Sequence, residues 1–194
     1  MEQDNNQLFP IFLKLNQLRV LLVGAGPVGL EKLSAMLNNA SNASITIVAL
    51  DILPEVEIMA KKFQNVFIEN RAYHSDDLKG GYDITIIAVN NRSLSEAIYK
   101  AAKLAGILAN VADTPDLCDF YLGSIVQKGH LKIAISTNGK SPTMAKRLRQ
   151  WFETILPEEL DSLLENLYKY RNTIKGDFAE KVKRMDALTS EIIK

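Results

Sequence analysis

The chain has 194 residues, 23 Lys plus Arg against 23 Asp plus Glu, and is 47% hydrophobic and 24% charged. These are the proportions of a folded globular protein, long enough for one large domain or a domain with a smaller appendage, and they exclude a disordered or fibrous chain. The zero formal net charge argues against a general nucleic-acid binder, and the single cysteine, Cys118, excludes an intrachain disulfide and a structural zinc cluster.

The N-terminal stretch "MEQDNNQLFPIFLKL" lacks a basic segment followed by a long apolar one. Nowhere do about 18 apolar residues run together. The expectation is a soluble, cytoplasmic protein without a membrane partner. Apolar strand-like runs then alternate with helix-like segments: "LRVLLVG" from Leu18, "VGLEKLSAMLNNA" from Val28, "ASITIVAL" from Ala43 and "LPEVEIMAKKF" from Leu53. "NVFIENR", "YDITIIAVN", the helical "SLSEAIYKAAKLAG" and "GILANVAD" continue the rhythm to Asp113. Unbroken apolar strands alternating with helices predict an α/β fold, a Rossmann-like parallel sheet covered on both faces.

The rhythm changes after that. "FYLGSIVQKGHLKIAISTNG" reads as two strands joined across "QKG", and "SPTMAKRLRQWFETIL" as a helix with Ser141 at its N-cap and Pro142 at its first position. Pro157 ends that pattern and starts another, in which Leu160, Leu163, Leu164 and Leu167 share one face. A last helix is predicted from about Asp177 to Lys194. The expected division is a dinucleotide-binding region over 1–112, a small strand-containing region over 113–142 and a helical region over 143–194.

Gly24, Gly26 and Gly29 satisfy G-x-G-x-x-G directly after a buried strand and at the start of a helix. The first glycine permits the turn, the second lets the backbone approach a pyrophosphate, and the third lets helix and strand pack. Asp51 follows Gly29 by 22 positions, where an acidic residue accepts the ribose hydroxyls, which suits NAD better than NADP. The structural alternatives are a plain strand-to-helix turn for the glycines and a helix cap for Asp51.

Between Asp119 and Glu153 there is no acidic residue, while Lys128, Lys132, Lys140, Lys146, Arg147 and Arg149 are basic. Such a concentration suits an anion, whether phosphate, nucleic acid or polycarboxylate, or is a solvated face.

"NVADTPDLCDF" followed by "GHLKIAISTNGKSPTMAKRLR", with "LFPIFLKL" and the glycine turn, resembles the precorrin-2 dehydrogenase / sirohydrochlorin ferrochelatase family over about the first 150 residues. The resemblance implies an NAD-dependent enzyme that oxidises precorrin-2, a tetrapyrrole polycarboxylate, to sirohydrochlorin in sirohaem biosynthesis. It also implies a homodimer made by strand exchange and a substrate cleft between the parts. The family's key acid falls on Asp113, as a proton acceptor and, in chelatase-competent members, an aid to ferrous iron insertion. Its structural alternative is an Asp turn before Pro115.

The family's cofactor contacts fall on Gly24, Gly26, Pro27 and Val28, on Leu50 and Asp51, and on Asn90. Its tetrapyrrole-bordering loop falls on Thr137, Gly139 and Ser141, although Ser141 also reads as a helix cap. The resemblance also places Lys128 at the substrate, where an Arg-Gly turn is common in the family, and Lys lacks the bidentate fork of Arg for a carboxylate. Two histidines, one cysteine and no ligand cluster argue against a stored metal, while the resemblance leaves open a transient ferrous iron, whose insertion by Asp113 needs no such cluster. Two other readings stay open: an NAD(H)-sensing regulatory module without catalysis, which needs no Asp113, and a generic α/β dehydrogenase acting on a small hydroxy acid.

Overall fold

The computed structural model describes residues 6–190; residues 1–5 of the N-terminal stretch and 191–194 of the last expected helix lie outside the described residues. Two compact units emerge, one ending at Tyr121 and the other beginning at Leu122.

The first unit is a five-stranded sheet of order β3-β2-β1-β4-β5, with β1 (Arg19–Ala25), β2 (Ser44–Ile52), β3 (Val66–Asn70), β4 (Ile84–Ile87) and β5 (Leu108–Val111). Every pairing is parallel. Parallel neighbours need long crossovers, and α1 (Pro27–Asn39), α2 (Pro54–Ala60) and α3 (Arg92–Leu104) provide three of them.

The unbroken apolar run of β1 follows from its central place. Val20 and Leu22 belong to one buried cluster and Leu21 and Val23 to another, so alternate side chains fill two cores. Burying each such side chain is worth about 1.5–3 kcal/mol, and Leu22→Ala should cost about 2–5 kcal/mol. Helix α3 buries Ser95, Ile98 and Ala102 along one stripe, and its Asn91 N-cap accepts the Leu94 amide at 3.0 Å.

The strand order reverses between β1 and β4, because β1 to β3 build outward on one side and β4 and β5 on the other. Ligands of open α/β sheets bind beyond the carboxyl ends of the strands at such a reversal.

The second unit contains the antiparallel hairpin of β6 (Ser124–Lys128) and β7 (Leu131–Ile135), then α4 (Pro142–Ile155), α5 (Leu160–Thr173) and α6 (Phe178–Thr189). Lys128 pairs with Leu131 around a Gly129-His130 turn, with Gly129 at φ 52°. Ser141 caps α4 by accepting the Met144 amide at 3.2 Å, and Asp177 caps α6 by accepting the Glu180 amide at 2.9 Å.

Two boundaries differ from the sequence expectation. Residues 113–121 belong with the parallel sheet, because Asp119 accepts the Ala109 amide at 2.9 Å and Asn110 donates to the Phe120 carbonyl at 2.8 Å. The hairpin and the helices after it share one unit instead of splitting at 142. Among the described residues no helix is long and apolar enough to cross a membrane.

Candidate functional site

The strand ends of the first unit gather the expected cofactor residues. Gly24 has φ 103°, and a Cβ there would stand 2.3 Å from the Ala88 carbonyl oxygen just beyond β4. Only glycine has both the backbone freedom and the room. At Gly29 a Cβ would stand 2.3 Å from the Gly24 oxygen, so helix and turn pack without clearance. Gly26 is different: a Cβ would meet nothing within 4 Å.

Gly26 is the N-cap of α1 and Pro27 its first residue, and no side chain caps the helix. The amides of Val28 and Gly29 therefore lie in a first turn that has no intrahelical acceptor for them. Open space over Gly26 beside uncapped N–H groups at a positive helix end is an anion cradle, and it fits a dinucleotide pyrophosphate.

The end of β2 carries a feature that the sequence pattern did not indicate. Val23 pairs with Val48 and Ala25 with Ile52, so Ala49, Leu50 and Asp51 together face the single residue Gly24. The Asn70 side chain braces this bulge by donating to the Ala49 carbonyl at 3.1 Å and the Leu50 carbonyl at 2.6 Å. Leu50 is 68% exposed and Asp51 is exposed. Helix α2 is capped by Leu53 without a side-chain bond, so Asp51 does not serve as its cap. Asn90 is exposed beyond β4.

Asp113 follows β5 and has a left-handed backbone, φ 56°. Among the described residues no group donates a hydrogen bond to its exposed carboxylate, so the self-bonded Asp turn is not formed. The Ala112 amide donates to the Ile87 carbonyl at 2.9 Å and the Thr114 amide to the Val111 carbonyl at 3.3 Å, which ties the turn to β4 and β5.

The sequence pattern marks neither Cys118 nor Asn110 as part of this turn. Burial pushes the Cys118 thiol up, so it stays protonated near neutral pH. Burial would also raise Asp119, but the Lys103 ammonium and the Ala109 amide hold its carboxyl below the usual range.

In the second unit, Thr137, Asn138, Gly139 and Ser141 form the turn before α4. Asn138 and Gly139 have φ 53° and 74°. The Thr137 hydroxyl oxygen accepts the Ser141 amide at 3.1 Å, and Ser141 accepts at the helix cap. Each hydroxyl keeps its own O–H donor for a further acceptor. Lys146 and Arg147 are exposed on α4, and Arg149 pairs with Glu153 at 2.6 Å.

Lys128, expected at the substrate, is spoken for within its unit. Its ammonium donates to the Leu156 carbonyl at 2.5 Å and to Glu158 at 2.7 Å, with only 16% of the side chain exposed. The partners lie 28 and 30 residues away in sequence, so no local pattern indicated them. Next to it, Asp161 accepts both the backbone N–H and the ring nitrogen of His130, each at 2.7 Å. Glu165 completes a group whose ligand atoms lie within 4.8 Å of one another. Since Asp161 is already bonded to the hairpin turn, this group acts as a clasp.

A cavity of about 500 Å³ lined by Leu78, Tyr82, Leu104 and Ile107 lies at the amino ends of β4 and β5. It is mostly apolar and sits at the sheet edge away from the glycine turn.

Residues 11–124 match the family described as "Putative NAD(P)-binding", and residues 128–153 match the "Sirohaem biosynthesis protein central" family. Siroheme synthase of Pseudoalteromonas atlantica is 35% identical over 92% of this chain and 38% of its own length. Siroheme synthase of Psychrobacter cryohalolentis is 34% identical over 87% of this chain and 31% of its own. The chain thus spans about a third of the length of these relatives. A solved structure titled "SirC, precorrin-2 dehydrogenase" matches with TM-score 0.70 at 22% identity, covering 96% of this chain and 90% of that one, and establishes a shared fold.

Proposed function

The chain belongs to the NAD(P)-binding family that its residues 11–124 match, and from that premise we propose that it is an NAD-dependent precorrin-2 dehydrogenase forming sirohydrochlorin. One observation carries the reading: an acid held in a left-handed turn with an unengaged carboxylate, after β5, on the opposite side of the strand-order reversal from the glycine cradle at the end of β1. A sensor of NAD(H) has no use for that acid.

The Val28 and Gly29 amides would hold the pyrophosphate, and Asp51, lifted out by the β2 bulge, would accept the adenosine ribose hydroxyls. A 2′-phosphate there would meet the Asp51 carboxylate, which favours NAD over NADP. Bound NAD supplies the hydride acceptor. Oxidising the macrocycle removes a hydride and a proton, and Asp113 takes the proton and releases it to solvent, to which it is open. The hydroxyls of Thr137 and Ser141 and the Gly139 turn are suited to hold substrate carboxylates, with Lys146 and Arg147 adding charge.

A second copy of the chain is the partner proposed for the second unit. Among its described residues the buried hydrophobics are Val126, Ala145 and Ile174, while Met144, Trp151, Tyr168 and Phe178 are 51–72% exposed. So thin a core beside so much exposed apolar surface supports that pairing. Light scattering at micromolar concentration should give the mass of a dimer.

The functional test is anaerobic conversion of precorrin-2 with NAD, with and without ferrous iron, comparing the protein with Asp113→Ala. NAD-dependent sirohydrochlorin formation that the variant loses supports the reading, and an iron-dependent onward spectral shift adds chelation. A folded protein that binds NAD yet converts nothing would leave the sensor reading in its place.

A further inference from the structure

We propose that Cys118 and Asn110 are positioning residues, a buried thiol and amide pair that holds the Asp113 turn in its left-handed form. The inference rests on the reading of Asp113 as the proton acceptor, but its structural half stands apart from that reading.

The turn leaves β5 at Val111 and returns alongside it. At the return, Cys118 forms an antiparallel bridge with Asn110. The Cys118 thiol faces two carbonyls, Val111 at 3.2 Å and Thr114 at 3.3 Å, the residues that flank Ala112 and Asp113. One S–H shared between both oxygens adds to the Thr114-to-Val111 backbone bond in holding the two ends of the turn together. Asn110, 6% exposed, donates to the Cys118 sulfur at 3.4 Å and to the Phe120 carbonyl at 2.8 Å. Cys118 is thus located by one side and locates the turn by the other.

The returning segment has a further anchor in Asp119, which accepts the Ala109 amide and pairs with Lys103 at 2.7 Å. The brace itself is therefore tied to β5 and α3. A non-glycine residue in the left-handed region is disfavoured on its own and persists where its surroundings over-determine it. Here the surroundings are the Ile87 and Val111 carbonyls, which take the Ala112 and Thr114 amides, together with the thiol. Without the thiol, the Val111 and Thr114 carbonyls lose a shared donor and the Asp113 carboxylate gains freedom to leave its position. A positioned proton acceptor works only within hydrogen-bond reach of its proton. Loss of positioning therefore lowers turnover without touching the cradle over Gly26.

Serine is the discriminating substitution, because it keeps the donor in nearly the same place while removing sulfur. Full-length Cys118→Ser and Cys118→Ala are compared with the parent by hydrogen–deuterium exchange and by precorrin-2 oxidation. Cys118→Ala should exchange the amides of 111–117 at least about tenfold faster, with β1 and β4 unchanged. Its kcat should fall about tenfold while NAD affinity stays within about twofold. Cys118→Ser should restore both to near the parent values.

Parent-like exchange over 111–117 in Cys118→Ala overturns the brace whatever the activity. Faster exchange with unaltered kcat overturns the positioning role. If the parent itself oxidises no precorrin-2, the functional reading fails and exchange alone decides the brace. Asn110→Ala should loosen the same peptide further, and failure to do so counts against the pair acting as a unit.

Discussion

Replacing Gly24 and Gly26 by alanine should have opposite effects on stability and binding. At Gly24 the new Cβ would lie 2.3 Å from the Ala88 oxygen and 2.7 Å from its carbon. That backbone cannot retreat, because the Ala88 amide is bonded to the Val23 carbonyl at 2.8 Å. The left-handed backbone alone costs about 1–2 kcal/mol for a residue with a side chain, and with the clash we expect a loss of at least ~3 kcal/mol. That corresponds to a fall of roughly 6–12 °C in Tm for a chain of this size. Gly26 has φ −78° and open space, so Gly26→Ala should stay within about 1 kcal/mol. Its methyl nevertheless projects where the pyrophosphate approaches, and NAD affinity should fall at least about tenfold, ~1.4 kcal/mol. Thermal unfolding and NADH fluorescence titration read the two quantities separately. Gly26→Ala binding NADH like the parent, or unfolding as early as Gly24→Ala, would refute the cradle.

Asp51→Asn should weaken NAD by about tenfold and narrow the preference over NADP, measured by calorimetric titration of both. Asp113→Gly and Asp113→Ala should both lose turnover, but the glycine variant should be about 1 kcal/mol the more stable in urea, since φ 56° suits glycine; equal midpoints would mean the turn is not left-handed. The His130–Asp161 clasp makes stability depend on pH: hydrogen bonding to Asp161 raises the imidazolium above its ordinary range, while the His130 backbone N–H and ring hold Asp161 below its own. The His130 contribution is complete below its unfolded value and is lost as pH rises through the raised folded value, whereas that of Asp161 is lost in acid. The Tm advantage over His130→Gln should therefore be greater near about pH 5–6 than at about pH 9, and a flat difference would remove the clasp.

What was legible in the sequence was local and periodic. The buried runs of β1, β2 and β4, the glycine turn and the Ser141 cap each rest on spacing within a few residues. The β2 bulge was not legible, because it depends on how Val48 and Ile52 register against β1. The Asn70 brace and the Lys128 and His130 clasps pair residues about 20 to 31 positions apart, and nothing in periodicity selects such partners. Asp113 was found through the family resemblance, but its left-handed backbone and the thiol beneath it are tertiary facts. The boundary expected at residue 113 failed for the same reason: Asp119 and Phe120 bond back to β5 over about ten residues.

Parallel strands place Gly24, Asp51, Asn90 and Asp113 at the carboxyl end of the sheet, the first two in the last residues of β1 and β2 and the others beyond β4 and β5, and they are not independent there. The turn at Gly24 rests on the Ala88 backbone, and a Cβ at Gly29 would come within 4.0 Å of the Ala88 Cβ. The same β4 end, one residue earlier, gives its Ile87 carbonyl to the Ala112 amide beside Asp113. Enlarging Ala88 should therefore act on both sides of the reversal, whereas Asp113 variants should lose turnover and keep NAD affinity. Ala88→Val overpacks by two methyl groups, an expected cost of about 1–3 kcal/mol, and its bulk lies against the glycine turn. NAD affinity should fall several-fold and kcat should fall with it, read by NADH titration and precorrin-2 oxidation on the same preparation. A variant with lowered Tm but intact affinity and turnover would mean that the turn is held by its own glycines, with β4 serving only as a neighbour.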